Sequence, residues 1–459
     1  MIEVDDIQPG ILAAPYENEH PLPAGAYPVV VGLDVFGRLP GDRPDDRRKS
    51  LRSIVSAVSH DPVTATIGIT ADGLSRLGLR PELLAALPPE FAAGPVSRAS
   101  LLQDPDPDTW HHELGRASPD VIVMLSCSAP GASLALAFVA GKLSGSLSSR
   151  RELATFVKSD RTEHFGFRDG ISNPELAGSQ RPVTPGNGVP TADGWRALAA
   201  GEIIYGYRNE TGNVPGAAIV QRFLRNGTFL VWRKIEQDLA AFRALGAVIC
   251  TTRHPDPALT PPCEECQAMI VGRRKDGKPL VPSYGDNEND FRFGTAIGDV
   301  SRCAHIRRAN PRQTIHFEDV TVAAHRIVRR SMIYEEEAAV GTVFRCYQAS
   351  IADQFEFVQR EWLNHGDLFR EGRMPDPVAG TPEHQPKCDP FDFETELYGW
   401  DATGPADRTA PHTGPVGTHD VTVKRPPAPL TTVKGSIYAF VPGRRILGLI
   451  AKGDPGTLG

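Results

Sequence analysis

Between residues 63 and 70 the chain alternates: Val63, Ala65, Ile67 and Ile69 are apolar, while Thr64, Thr66, Gly68 and Thr70 are polar or small. A period of two belongs to a strand with one buried face. Such a strand needs a sheet beside it and a second layer over its apolar side. Directly behind it, Asp72-Gly73 opens a helical pattern through Leu74, Leu77 and Leu79 towards Leu87. The same succession recurs. Pro28 to Leu33 and Asp120 to Ser126 read as strands, and Ala132 to Leu143 as a helix. Further on, Gly201 to Tyr207, Thr228 to Arg233, Ala268 to Val271, Val343 to Tyr347 and Ser436 to Val441 read as strands. Ile235, Leu239 and Phe242 share one helical face within Lys234 to Leu245, and Phe355, Val358 and Trp362 share another. Strands alternate with helices in both halves without a plain all-parallel pattern. The expectation is an α+β fold with a hint of a duplicated unit.

A chain of 459 residues has room for two large domains. Its best internal boundary is the Pro/Gly/Thr-rich stretch 175–200, which sets the expected domains at 1–185 and 186–459. Residues 38–50 and 281–301 read as polar loops, and the Pro-rich 365–432 as a long surface loop. The net charge of -7 argues against nucleic acid as the main partner, because phosphate binding needs a basic face. No apolar run reaches the roughly 18 residues of a spanning helix, so no membrane is expected. The opening MIEVDDIQPG has neither a basic nor an apolar leader region, which predicts a cytoplasmic protein. The 7 cysteines are scattered, do not form a disulfide framework, and fit a reducing compartment. Cys263 and Cys266 form a CxxC without the further pair that a zinc site needs.

Three short segments carry chemistry. Residues 164–172 read His-Phe-Gly-Phe-Arg-Asp-Gly-Ile-Ser. They put the carboxylate of Asp169 before a glycine that frees the backbone for a tight turn or a flat ligand. An acid in such a setting can handle protons; equally, Asp-Gly is ordinary turn chemistry. Residues 303–312 surround His305 with Arg307, Arg308 and Arg312. Imidazole ligates transition metals and haem iron, and the cations suit an anionic ligand edge. Residues 325–330, His-Arg-Ile-Val-Arg-Arg, bring further arginines with enough apolar character for partial burial.

Together and in this order, the three segments resemble the dye-decolourising peroxidase family. The family's GxxDG motif matches Gly166 to Gly170. Its proximal histidine segment matches His305-Ile306-Arg307 with Asn310-Pro311-Arg312, and its distal arginine segment Arg326 to Arg330. Asn226 to Gln237, Val271 to Arg273, Phe355 to Gln359 and Gly435 to Pro442 look similar too, so the likeness spans almost the whole chain. One stretch departs: Ser331 to Glu335 stands where the family carries a Gly-x-Pro-Tyr-Gly-type turn.

The resemblance implies two ferredoxin-like domains, antiparallel sheets with packed helices, in the dimeric α+β barrel-type haem peroxidase fold. The GxxDG segment falls in the first and the haem mostly in the second. It implies haem b with His305 as the metal ligand, Asp169 as distal acid–base and Arg329 as the group that holds peroxide and developing charge. Gly170, Ile171 and Ser172 are expected against the porphyrin, and Arg273, Asn310 and Arg312 at its edge or propionates. Phe344 is expected over its distal side, and Glu356 is the candidate carboxylate behind His305. The activity implied is reduction of hydrogen peroxide and oxidation of aromatic donors such as dyes and phenols by the oxidised haem. Trp195, Trp232, Trp362, Trp400 and Tyr334 are candidate electron relays. The alternative is a haem-binding or haem-transfer protein on the same fold, without significant turnover. Either reading leaves room for a homo-oligomer. The polar Lys452 to Gly459 reads as a frayed end or a docking peptide.

Overall fold

The alternating segments become strands in a computed structural model of the protein. It describes residues 2–12, 29–59, 61–111, 114–115, 117–191, 194–253, 263–281, 289–293, 300, 303–312, 322–365, 375–380 and 429–453. The strands are β1 (Val30–Arg38), β2 (Thr64–Ile69), β3 (Val121–Cys127), β4 (Ser148–Val157), β5 (Val189–Thr191) and β6 (Gly194–Arg196). They continue with β7 (Thr228–Gln237), β8 (Val328–Arg329), β9 (Met332–Glu336), β10 (Ala339–Gln348) and β11 (Thr431–Val441). β5 and β6 pair with each other alone. The other strands form one sheet in the order β7-β11-β2-β3-β1-β4-β9-β10-β8, and β7 also pairs with β10. That last pairing closes the sheet into a ring, with the short β8 paired to β10 at its end. β8 continues the line of β9 along β10: Arg329 faces Cys346 and Met332 faces Val343 in a single register.

The ring contains the same motif twice. Strands β1 to β4, with helices Pro44–Val58 and Ala132–Leu143 between them, lie in the spatial order β4-β1-β3-β2. Strands β7, β9, β10 and β11, with the helix Leu239–Arg253 and the π-helical stretch Ile351–Asn364 between them, lie in the order β11-β7-β10-β9. Each is the βαββαβ arrangement of a ferredoxin-like unit. The halves join where Phe156 meets Ile333 and where Ile69 meets Phe440. The expected α+β fold with two ferredoxin-like halves is therefore present.

The compact units do not follow the boundary expected at 185. One comprises Met1–Gln237, Ala323–Val358 and Thr432–Gly459, and the other Asp238–Val322 and Gln359–Thr431. The reason is ring closure: the late strands pack with the early ones and leave the long crossover segments to form a unit of their own.

Alternation along the strands divides the first unit's core in two. Val121, Val123, Leu125 and Cys127 join one cluster with the helix residues Leu51, Ile54, Leu136 and Leu143. Ile122 and Met124 join the other with Phe36, Leu230, Trp232 and Val343. Sequence patterns misled at four places. Residues expected in the loop 38–50 start the helix Pro44–Val58. Ala268 to Val271 ends a helix, Cys263–Val271, because four apolar residues fit either period. Lys234 to Gln237 stays in β7. Gly201 to Tyr207 forms turns around a 3-10 helix at Ala200–Glu202. The cysteine reading also needs correction: Cys250 and Cys266 form a disulfide, with Cα atoms 5.6 Å apart. Most of 365–432, including Trp400, lies outside the described residues, as do most of 281–301 and all of the tail after Gly453. No helix among the described residues is long and apolar enough to cross a membrane.

Candidate active site

In the first unit the chain leaves β4 and turns sharply. Gly166 and Gly170 take φ of 92° and 76°, a left-handed conformation that glycine adopts without strain. Residues 162 and 168 bridge, and the Asp169 amide donates to the Arg161 carbonyl at 3.0 Å. The turn thus holds Asp169 at its end with the carboxylate beside the ring. Asp169 Oδ1 accepts from the Gly170 amide at 2.6 Å and from Arg329 Nη1 at 3.1 Å. Arg329 arrives from β8, where alternation buries Val328 and leaves Arg329 part-exposed. Its amide donates to Asn173 Oδ1 at 2.8 Å, so the segment after the turn also fixes the arginine's backbone. A cleft with about 500 Å³ of empty space, open solvent included, lies here, lined by Arg161, Glu163, Asp169, Gly170, Arg329 and Thr342 among others. His164, beside the motif, contacts the Tyr334 carbonyl at 3.0 Å; burial pushes its imidazole below the ordinary value. Arg326 is pushed down to about 10 by burial and by the Arg329 charge.

The second unit holds the histidine. His305 opens the short helix His305–Ala309. Its Nδ1 lies 2.8 Å from Asp376 Oδ2, and the Asp376 side chain is fully buried. The other oxygen of Asp376 accepts from the amides of Val378 and Ala379 at 2.7 and 2.9 Å. The carboxylate is therefore fixed before the imidazole meets it. With the proton on Nδ1, the ring donates to Asp376, and the carboxylate makes Nε2 the more basic. Arg273 and Arg312 converge on Asn289 Oδ1, each at 2.7 Å, and both stack on Phe291.

The structure thus pairs Asp169 with Arg329, follows Asp169 with Gly170, Ile171 and Ser172, and clusters Arg273 with Arg312 in the unit that holds His305 and Asn310. It corrects Glu356. The carboxylate on His305 is Asp376, whereas Glu356 accepts from Arg98 Nε at 2.9 Å and from the Tyr438 hydroxyl at 3.1 Å. Glu356 lies on the helical stretch Ile351–Glu356, which turns it to Arg98. Phe344 packs on Phe355, ring centroids 6.1 Å apart. Asp376 was missed although Pro375 and Pro377 flank it, a sign of a fixed turn. Asn173, Asn289 and Glu163 gave no comparable signal.

Comparison with known proteins points to peroxidases. The sequence model of the C-terminal part of Dyp-type peroxidases matches residues 262–371. A dye-decolorizing peroxidase of Mycetinis scorodonius is 29% identical over 371 residues, covering 71% of this chain and 67% of the relative. The multifunctional dye peroxidase DyP2 of Amycolatopsis is 27% identical over 420 residues, covering 83% and 81%. In fold, the chain matches the crystal structure of a decolorizing peroxidase from Auricularia auricula-judae with a TM-score of 0.72, at 20% identity and over 100% of both chains. A solved complex of a dye-decolorizing peroxidase with 2,6-dimethoxyphenol gives 0.71 at 20% identity, over 98% of this chain and 100% of that one. Over most of its length the chain is thus similar to dye-decolorizing peroxidases.

Proposed function

We propose that this protein is a haem peroxidase that reduces hydrogen peroxide and oxidises aromatic donors, with haem b held at His305. The observation that carries the reading is the Asp169–Arg329 pair, 3.1 Å apart, turn to strand, at an open cleft. The donor set fits the cofactor. His305 has the carboxylate partner that haem-ligating imidazoles use, and arginines 273 and 312 suit propionates. Two of the expected contact atoms, Ser172 Oγ and Asn310 Oδ1, are shielded and take no hydrogen bond among the described residues. When bound, haem supplies the iron at which peroxide reacts and the oxidising capacity that donors consume.

The protein's own residues manage protons and charge. Asp169 accepts a proton from hydrogen peroxide and returns it to the oxygen that departs as water. Arg329 does not deprotonate; its guanidinium orients peroxide and offsets negative charge as the O–O bond lengthens. Asp376 holds the His305 ring in one orientation and keeps it electron-rich. A relative's complex with 2,6-dimethoxyphenol supports phenols as donors. The test is an absorption spectrum of haem-supplied protein before and after peroxide, with dye bleaching as the second readout. Asp169→Asn should slow the peroxide reaction by about 10²- to 10⁴-fold without loss of haem. Absence of haem uptake, or a peroxide rate unchanged in Asp169→Asn and in Arg329→Leu, would sink the reading.

A further inference from the structure

The turn that carries Asp169 is itself anchored by a second carboxylate. Glu163 Oε2 accepts from the Phe165 amide at 2.8 Å and Oε1 from the Phe167 amide at 2.9 Å. The backbone closes over the same residues, with Glu163 N–H donating to the Phe167 carbonyl and Gly166 N–H to the Glu163 carbonyl, both at 2.9 Å. Glu163 is in turn held from the ring. Gln237, the last residue of β7, donates Nε2 to Glu163 Oε2 at 2.6 Å, and Thr342 of β10 donates its hydroxyl to Gln237 Oε1 at 3.1 Å. Two neighbouring strands thus grip one side chain, and that side chain grips two amides of the GxxDG turn.

The residue type matters. An ionised carboxylate accepts through both oxygens and receives all three N–H groups. A carboxamide of the same shape has one oxygen and turns an NH2 towards one of the donors. Burial, and then the Asp169 charge, push Glu163 above its ordinary value, whereas the Phe165, Phe167 and Gln237 bonds favour its charged form. The guanidiniums of Arg161, Arg329 and Arg330 line the same cleft as Glu163 and Asp169. An amide at 163 would preserve the volume and lose the clamp.

We propose that Glu163, anchored by Gln237 and Thr342, is a positioning residue that sets the place of Asp169 by clamping the Phe165 and Phe167 amides. The inference rests on the peroxidase reading for the role of Asp169. In haem-loaded protein, Glu163→Gln should lower the second-order rate constant with peroxide by about ten- to hundredfold, the usual cost of a misplaced catalytic group. The KM for an aromatic donor should stay within about twofold, since the hydrogen bonds that change are those to the turn amides and to Gln237. Amide hydrogen exchange across 163–170 should accelerate by about tenfold or more, with the strands of the ring unchanged. Gln237→Met removes the anchoring donor and the acceptor of the Thr342 hydroxyl, leaves both turn amides on Glu163, and should give the same pattern more weakly; it carries the test if Glu163→Gln does not fold. Unchanged exchange in both variants overturns the proposal. Faster exchange with an unchanged peroxide rate also overturns it, because Glu163 would then serve the fold alone. The exchange arm needs no turnover. A parent protein that ignores peroxide defeats the peroxidase reading, and with it the positioning role, whereas an active parent with unaffected variants defeats the clamp alone.

Discussion

His305 and Asp376 are 71 residues apart in sequence and 2.8 Å apart in the structure. The three motif residues were legible because each sits in a distinctive local string: Asp169 before Gly170, His305 among arginines, Arg329 beside Arg330. Their partners were not. Asp376, Glu163 and Asn173 act through contacts that the chain's turns create, and single acids in a chain with 56 Asp and Glu residues carry no mark of their own. The imidazole's partner is open to test. Asp376→Asn keeps the volume but loses the anionic acceptor, so haem retention should weaken by about ten- to hundredfold, measured as transfer to an apo-globin. Retention equal to the parent's would remove Asp376 from the proposed site. A second residue sets a pH dependence. Glu202 is buried, and burial pushes its carboxyl from 4.5 up to about 7. The folded form therefore holds the proton more tightly than the unfolded chain does. Its contribution is complete below about pH 4.5 and is lost as pH rises through about 7, amounting to about 3 kcal/mol. Glu202→Gln keeps an acceptor for the Glu210 amide and cannot titrate. Its denaturation free energy should fall less than the parent's between about pH 5 and pH 8. Parallel pH profiles would contradict this.

At the scale of the strand, period-two alternation was readable but its inner face was not. A charged residue in an alternating strand normally marks the solvent side, yet Asp34 of β1 is 0% exposed and belongs to the side of Phe36. The closed ring explains it. Arg345 Nη2 of β10 reaches both Asp34 oxygens at 2.7 Å, and Trp232 Nε1 of β7 donates to Asp34 at 2.7 Å. Thr155 of β4 accepts from the same guanidinium at 3.3 Å. Four strands thus meet at one ion pair, and none of the four segments announces the others. Burial pushes the Asp34 carboxyl up while the Arg345 charge pulls it down. Removing one partner leaves the other charged and buried. Asp34→Leu and Arg345→Met should therefore each cost about 3–5 kcal/mol, and the two combined less than either alone. Urea denaturation of the four proteins checks this. Additive losses would mean that the pair is not coupled inside the ring.

For the whole molecule, the duplicated motif was legible as recurring strand–helix–strand patterns, but the compact units were not, because a ring closes through pairings distant in sequence. Ile69 pairs with Phe440, and the His111 amide donates to the Lys434 carbonyl at 2.9 Å, so two regions of the first half reach the last strand. Among the described residues the second unit holds helices, and these need another tie. Cys250 and Cys266 supply one, joining helices Leu239–Arg253 and Cys263–Val271 across 16 residues. Both sulfurs belong to buried residues, 3% and 0% exposed, so the bond sits within the unit's packing. Closing a loop of this length restricts the unfolded chain by about 3 kcal/mol. The effect belongs to the second unit, since both cysteines lie in it. Cys250→Ser should thus accelerate amide exchange across 239–271 by about tenfold or more and leave the ring strands protected as before. It should also make one additional thiol, Cys266, available to alkylation after unfolding without reductant. Unchanged exchange across 239–271 would mean that helix packing alone stabilises this unit. Acceleration that spreads equally into β1 to β4 would mean that the two units unfold as one.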